Sequence, residues 1–359
     1  MQIAIVLGTR PEIIKMSPII RYCEERDLDY SLIHTGQHYS YELDAAFFHE
    51  LELPIPNYKL DVGSGTHAEQ TGKILVGLES ILMRDRPDVV LVQGDTNTVM
   101  GSALAAAKLN IDVGHVEAGL RSWDRTMPEE VNRLLTDHLS RYLFPPTEKA
   151  KINLLREGID EKKIWVVGNT VVDAVLQNIE IAHQRSSVLH DLDVAPREYF
   201  LLTAHRQENV DNRTKLENLI AALQGLYSAY GIPILFPAHP RTSKRLWEFG
   251  LSMPEGVRII GPQGYLAFLL LEKSARLILT DSGGIQEEAC ILHTPCITLR
   301  ENTERPETLD VGGNVLTGMD PERILKAAST MLSAETSWVN PFGDGHSGKG
   351  IIETLLSVA

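Results

Sequence analysis

Short runs of Val, Ile and Leu, apolar throughout rather than alternating, recur along the chain between stretches of helical periodicity. Strands that are apolar on both faces belong to parallel sheets covered by helices on each side. In the first half the runs are 2–7, 30–34, 89–93, 113–116, 142–144 and 164–167. A second series takes 199–203, 232–236, 257–260, 276–279 and 296–299. This βαβα order predicts an α/β protein of two doubly wound, Rossmann-like domains facing across a cleft. A helical stretch, 171–187, and a polar, Pro-containing segment, 190–197, separate the series, and the polar segment is the expected linker. The expected domains are 1–170 and 171–345, with 346–359 as a C-terminal helix crossing back to the first.

Composition adds limits. A length of 359 residues suits two domains of ordinary size. Acidic residues number 48 against 34 basic ones, a net charge of -14, which opposes binding to nucleic acid or an anionic membrane surface. No apolar run approaches the roughly 20 residues of a membrane span, and no basic region precedes the first strand, so the expectation is a cytoplasmic protein without a signal peptide. Cys23, Cys290 and Cys296 have no metal spacing and read as buried, inert thiols.

Ligands of doubly wound sheets bind beyond the carboxyl ends of the strands, so the residues that follow strands carry the chemistry. Asp281-Ser282-Gly283-Gly284-Ile285-Gln286-Glu287-Glu288 follows an apolar run directly. A strand, a glycine turn and a helix start aim free N–H groups and the positive helix end at an anion, which here suggests a phosphate. Glu288, one turn in, suits a sugar diol; a tight strand-to-helix connection is the alternative reading. Gly8-Thr9-Arg10-Pro11-Glu12 follows strand one, with Lys15 a turn later, and two cations at a helix start suit a diphosphate.

Carboxylates stand at two neighbouring strand ends, Asp95 in Gln93-Gly94-Asp95-Thr96 and Glu117 in His115-Val116-Glu117-Ala118-Gly119-Leu120-Arg121. Asp95 also fits a helix cap, whereas Glu117 ends an apolar strand and is the stronger acid–base candidate. Met127-Pro128-Glu129-Glu130 opens a helix with further carboxylates, and Glu130 fits an acidic first turn. In the second half His205 and His239 end successive strands, and the loop 261–265, with Phe268 nearby, could hold a base. Gly343-Asp344-Gly345-His346-Ser347-Gly348-Lys349-Gly350 approaches a Walker A loop, but Gly350 replaces the required Ser or Thr and no strand precedes it. No metal-binding histidine spacing and no dinucleotide glycine fingerprint is present, so neither a metal nor a cofactor is expected.

Together these runs, with Pro128-Glu129-Glu130-Val131-Asn132-Arg133, Val167-Gly168-Asn169-Thr170, Glu304-Arg305-Pro306-Glu307 and Asn340-Pro341-Phe342-Gly343, closely resemble the non-hydrolysing UDP-N-acetylglucosamine 2-epimerases over nearly the whole chain. The resemblance implies a GT-B glycosyltransferase-like fold and cofactor-free interconversion of UDP-N-acetylglucosamine and UDP-N-acetylmannosamine through UDP elimination to 2-acetamidoglucal and readdition. It implies Asp95, Glu117, Glu129 and His205 as the acid–base set with Lys15 beside them. It places UDP on Arg10, Ser282, Gly283, Gly284 and Glu288, with His239, Phe268 and Arg305 as further nucleotide-side candidates. Domain closure over the trapped glucal and a homodimer are also implied. Gln37, His38 and Gln70 resemble part of the family's allosteric site, although the residues around them depart from its pattern. The rival readings are a UDP-sugar glycosyltransferase of the same fold and a hydrolysing epimerase that releases UDP and N-acetylmannosamine.

Overall fold

The computed structural model describes residues 1–37 and 41–358, with residues 41–44 through their backbone alone. It divides into two compact units, 1–174 with 342–359, and 175–341. The chain passes from the first unit to the second inside a helix rather than in the expected linker. Segment 190–197 belongs to the second unit, where the Arg197 backbone N–H donates to the Ser274 carbonyl at 2.7 Å.

The first unit holds β1 (Ile3–Leu7), β2 (Tyr30–His34), β3 (Tyr58–Lys59), β4 (Val89–Gln93), β5 (Asp112–Val116) and β6 (Tyr142–Phe144). All neighbours pair in parallel, in the order β3-β2-β1-β4-β5-β6. Its helices are α1 (Arg10–Glu25), α2 (Tyr41–Glu50), α3 (His67–Asp85), α4 (Asn97–Lys108), α5 (Pro128–Leu139) and α6 (Glu148–Arg156). α7 (Thr170–Arg185) carries the chain onward. β1 and β4 are buried at every position, which follows from their apolar sequence, broken only by Gln93 at the end of β4, and cover on both faces.

The second unit holds α8 (Val188–Asp191), β7 (Phe200–Thr203), α9 (Gln207–Val210), α10 (Arg213–Tyr230), β8 (Ile234–Pro237), α11 (Pro240–Phe249), β9 (Val257–Ile260), α12 (Tyr265–Ser274) and β10 (Leu277–Thr280). It continues with α13 (Gly283–Ile291), β11 (Cys296–Thr298), α14 (Pro306–Asp310), β12 (Asn314–Leu316) and α15 (Pro321–Ser333), before α16 (Ser347–Val358) returns to the first unit. Its order, β9-β8-β7-β10-β11-β12, repeats that of the first unit strand for strand. Each sheet therefore reverses direction once, between β1 and β4 and between β7 and β10, and these switch points are where such sheets open a ligand crevice.

Two edge strands, β3 and β12, were not expected, being two and three residues long and too short for a periodic signal. Residues 164–167 are not a strand. Ile164 makes one isolated bridge to Leu143, and Trp165 N–H donates to the Leu143 carbonyl at 2.9 Å; no ladder follows.

α1 contains Pro18, which supplies no donor to the carbonyl of Ile14. The Ser17 hydroxyl donates to that carbonyl instead, at 2.8 Å. α16 packs on this part of α1, where a Cβ at Gly348 would lie 3.0 Å from Pro18 Cβ. α5 is inverted relative to a usual surface helix: Glu130, Asn132, Thr136 and Asp137 are buried while Val131 and Leu135 are exposed. The three cysteines are buried and free, and burial pushes Cys23 and Cys290 up to about 12. No described helix is long and apolar enough to cross a membrane.

Candidate active site

In the first unit, the turn after β1 and the loop after β4 are tied together by Glu12. Its Oε2 accepts from the Gly8 N–H at 2.5 Å and the Thr9 N–H at 3.3 Å, and its Oε1 from the Thr96 hydroxyl at 2.6 Å. Burial pushes Glu12 up to about 7, against the lowering effect of those three donors. Thr96, not Asp95, caps α4, its hydroxyl accepting from Val99 N–H. Asp95 instead pairs with Arg133 of α5, whose Nε and terminal nitrogen lie 3.0 and 2.7 Å from Oδ2.

Glu117 follows β5 with φ 68°, a left-handed conformation unusual for a non-glycine residue and frequent at functional positions. This conformation directs its carboxylate onto Lys15 of α1, whose Nζ lies 2.8 Å from both oxygens, and onto the Gln93 side-chain amide at the end of β4. The sequence suggested a diphosphate for Lys15; the structure gives it Glu117. Arg10 stands 5.5 Å from the Phe47 ring centroid, a cation–π distance.

Behind these side chains lies a buried polar network. His115 of β5 places Nδ1 2.6 Å from Asp137 Oδ1 and Nε2 2.8 Å from the Gly94 carbonyl, beside Asp95. Asp137 also accepts from the Gly119 N–H at 3.2 Å and from Arg121 at 2.7 Å. Burial works to raise Asp137, but His115 and Arg121 outweigh it and hold the carboxyl below its ordinary range. Glu129 is exposed in the first turn of α5. Its neighbour Glu130 is not a solvated first-turn acid: it is buried, accepts from the backbone of Ser122 and Trp123 at 2.9 and 3.0 Å, and pairs with Arg133 at 2.6 Å.

Gln37 and Gln70 are both buried. Gln37 accepts from the Thr98 hydroxyl at 2.7 Å, and Gln70 donates to the Gln37 carbonyl at 3.1 Å and accepts from Asn97 at 2.9 Å. His38 lies outside the described residues.

The second unit repeats the arrangement. Asp281, at the end of β10 and fully buried, accepts from the backbone N–H of His205 and of Arg206 at 3.0 Å and from Asn209 at 3.2 Å; its Oδ1 is 3.1 Å from His205 Nδ1. Burial works to raise Asp281, and these partners hold it below its ordinary range. A carboxylate on one side of the switch point thus fixes the turn on the other, as Glu12 does in the first unit. With Nδ1 held, His205 keeps Nε2 for other work, and its ring is half-exposed, 6.2 Å from that of His239.

α13 starts directly after Asp281. Ser282 is its N-cap residue without a side-chain cap bond, and Thr280 Oγ1 accepts from the Ser282 N–H at 3.0 Å. Neither Gly283 nor Gly284 has a positive φ, and an added Cβ would meet nothing closer than 3.8 Å, so the glycines leave open space over the helix start. That arrangement suits an anion. Arg305, at the N-terminus of α14, pairs with Glu287 at 2.7 Å. His239 caps α11, its Nδ1 accepting from the Arg241 N–H at 3.2 Å. Phe268 is half-buried on α12 and Glu288 half-buried on α13.

A family model described as UDP-N-acetylglucosamine 2-epimerase matches residues 21–356. A Methanocaldococcus jannaschii protein named UDP-N-acetylglucosamine 2-epimerase is 58% identical over 99% of each chain. The chain belongs to the UDP-N-acetylglucosamine 2-epimerase family. A Methanococcus maripaludis relative of the same name is 56% identical over 99% of this chain and 98% of its own. The crystal structure of the M. jannaschii epimerase in complex with UDP-GlcNAc and UDP superposes with a TM-score of 0.84 at 58% identity, covering 99% of this chain and all of that one.

Within this epimerase fold the sequence motifs fall at the carboxyl ends of β1, β4, β5, β7 and β10, while the groups that orient them went unassigned. Glu12, Gln93, His115 and Asp281 stand inside the quoted motifs but point inward. Arg133 and Asp137 had one available signal: with Glu130 they recur at i, i+3 and i+7, charged residues sharing one face of α5.

Proposed function

We propose that the chain interconverts UDP-N-acetylglucosamine and UDP-N-acetylmannosamine without releasing the sugar. The observation that carries this reading is Glu117: a buried carboxylate in a strained backbone conformation, held by Lys15 and Gln93 at a strand end, in a chain of this family.

Carbon 2 of the sugar has no carbonyl beside it, so its proton is not acidic in the ground state. Loss of UDP from carbon 1 builds positive charge at the anomeric centre and acidifies the neighbouring C–H. A carboxylate then takes the proton, leaving 2-acetamidoglucal and UDP. Readdition of UDP to carbon 1, with protonation of carbon 2 on the opposite face, gives the epimer. Asp95, Glu117, Glu129 and His205 are the proton-transfer candidates, and Lys15 holds the Glu117 carboxylate in place. Arg10 and the α13 start at Ser282-Gly283-Gly284 stabilise the departing diphosphate, with Arg305 and His239 as supporting groups. Glu288 accepts the ribose hydroxyls and Phe268 packs near the base.

The test is incubation with UDP-N-acetylglucosamine in heavy water without any acceptor. Deuterium at carbon 2, with both epimers present and no net UDP, is the expected outcome. Stoichiometric UDP with free N-acetylmannosamine would replace this reading by a hydrolysing one. Absence of label in this incubation, with sugar transfer in a second one that supplies an acceptor, would replace it by a glycosyltransferase.

A further inference from the structure

Both units set a histidine against a buried aspartate, and the two pairs differ in what the second ring nitrogen meets. In the second unit Asp281 takes Nδ1 of His205, whose ring is half-exposed. In the first unit the ring of His115 is buried, with Nδ1 2.6 Å from Asp137 Oδ1 and Nε2 2.8 Å from the Gly94 carbonyl oxygen. A carbonyl oxygen only accepts. Asp137 is an acceptor too: its Oδ2 takes the Gly119 N–H at 3.2 Å and a terminal nitrogen of Arg121 at 2.7 Å, and such donors favour the ionised carboxylate. A neutral imidazole has one N–H and would turn a lone pair on one of these two oxygens at hydrogen-bond distance. Two N–H groups satisfy both. The charges also close: Arg121, with its side chain shut off from water, pairs with Glu157 at 2.8 Å, so an imidazolium brings His115, Asp137, Arg121 and Glu157 to zero in sum.

This network grips both turns that carry acid–base candidates. His115 takes the carbonyl of Gly94, the residue before Asp95, and Asp137 takes the N–H of Gly119, two residues after Glu117. Gly94 has φ 86°, its N–H donates to the Val116 carbonyl at 3.1 Å, and a Cβ there would stand 4.0 Å from Glu117 Oε2. The peptide that leads into Asp95 therefore lies against Glu117. We propose that His115 is a positioning residue, an imidazolium that donates from both ring nitrogens, ties the Gly94–Asp95 peptide to Asp137 and so fixes Asp95 and Glu117 relative to each other. With no lone pair left, the ring is not a base, which separates its role from that of His205. The inference rests on the acid–base roles given to Asp95 and Glu117 above and adds what holds them.

Nitrogen-15 spectra of the histidine rings at pH 8, where exposed imidazoles are neutral, should show a ring with both nitrogens protonated that is missing from His115→Gln. Two substitutions separate the two bonds. The amide nitrogen of Gln stands near the place of Nε2 and that of Asn near the place of Nδ1, so His115→Gln keeps a donor for Gly94 and His115→Asn keeps one for Asp137 alone. Deuterium incorporation at carbon 2 should fall about 100-fold in His115→Asn and about 10-fold or less in His115→Gln, as expected when a reacting group is misplaced, with UDP affinity by calorimetry within about 3-fold of wild type in both. Thermal melts confirm that each variant is folded. A His115 ring with one bare nitrogen, equal exchange in the two variants, or a loss of UDP affinity that parallels the loss of exchange overturns the proposal. If the wild type incorporates no deuterium while both ring protons are present, the acid–base reading itself fails and the positioning role falls with it.

Discussion

Lys15 Nζ lies 2.8 Å from each carboxylate oxygen of Glu117, joining the first helix to the end of β5 across 102 residues of sequence. Glu117→Gln keeps the shape of the side chain and removes its basicity. Deuterium incorporation at carbon 2 should fall by about 10²–10⁴-fold, the usual worth of a positioned acid or base. UDP affinity, measured by calorimetry, should change little. An exchange rate within a few-fold of wild type would remove Glu117 from the proton-transfer set.

Glu12 gives the first unit a pH-dependent contribution to stability. Its folded value of about 7 exceeds the ordinary 4.5 because of burial. Between those values the folded chain holds a proton that the unfolded chain lacks. The contribution is complete below 4.5 and is lost as pH rises through 7, a change on the order of 3 kcal/mol. Glu12→Gln does not titrate, so its stability relative to wild type should rise across this window. Urea denaturation at pH 5 and pH 8 measures the difference; an unchanged gap contradicts it.

Asp137→Ala leaves Arg121 and His115 beside a missing partner in a buried network. The expected cost is about 3–5 kcal/mol. Because the folded Asp137 lies below its ordinary 3.8, its contribution is present above that value and fades as pH falls through the lower folded one. Chemical denaturation near neutral pH and again at acid pH should show the gap narrowing.

Asp281→Asn weakens the grip on the turn that carries His205. Nitrogen-15 shifts of the His205 ring should reveal an altered tautomer balance, and carbon 2 exchange should slow at least 10-fold. The loss of charge-assisted bonds should lower stability by about 1.5–3 kcal/mol. A His205 spectrum identical to wild type would show that the ring is oriented by something else.

At Gly8, an added Cβ would overlap the Thr98 hydroxyl and sit 2.5 Å from Thr35 Oγ1. These two hydroxyls are themselves 2.8 Å apart in the core. Gly8→Ala should therefore destabilise by about 1–3 kcal/mol, read as a lower Tm and a lower denaturation midpoint.

The two series of apolar runs, the βαβα order and the motifs after the strands are visible along the chain, because a parallel strand buried on both faces reads as a near-continuous apolar run. The short edge strands β3 and β12 offered no such signal. The turn of the chain between units was also hidden: α7 runs through the boundary with unbroken helical sequence, while the Pro-containing segment 190–197 is packed into one unit.

By itself the sequence determined the fold class, the family and the strand ends at which Arg10, Asp95, Glu117, His205 and Ser282 stand. Only the tertiary structure decided which of these groups are held and by what. Lys15 meets Glu117, Arg133 meets Asp95 and Asp281 meets His205. The physical reason is range. Strand and helix patterns arise from neighbours a few residues apart, whereas each of these pairs joins residues far apart in sequence and brought together by sheet order and helix packing. Whether a carboxyl group is charged, neutral or oriented depends on those distant partners and on burial, neither of which is written in local sequence.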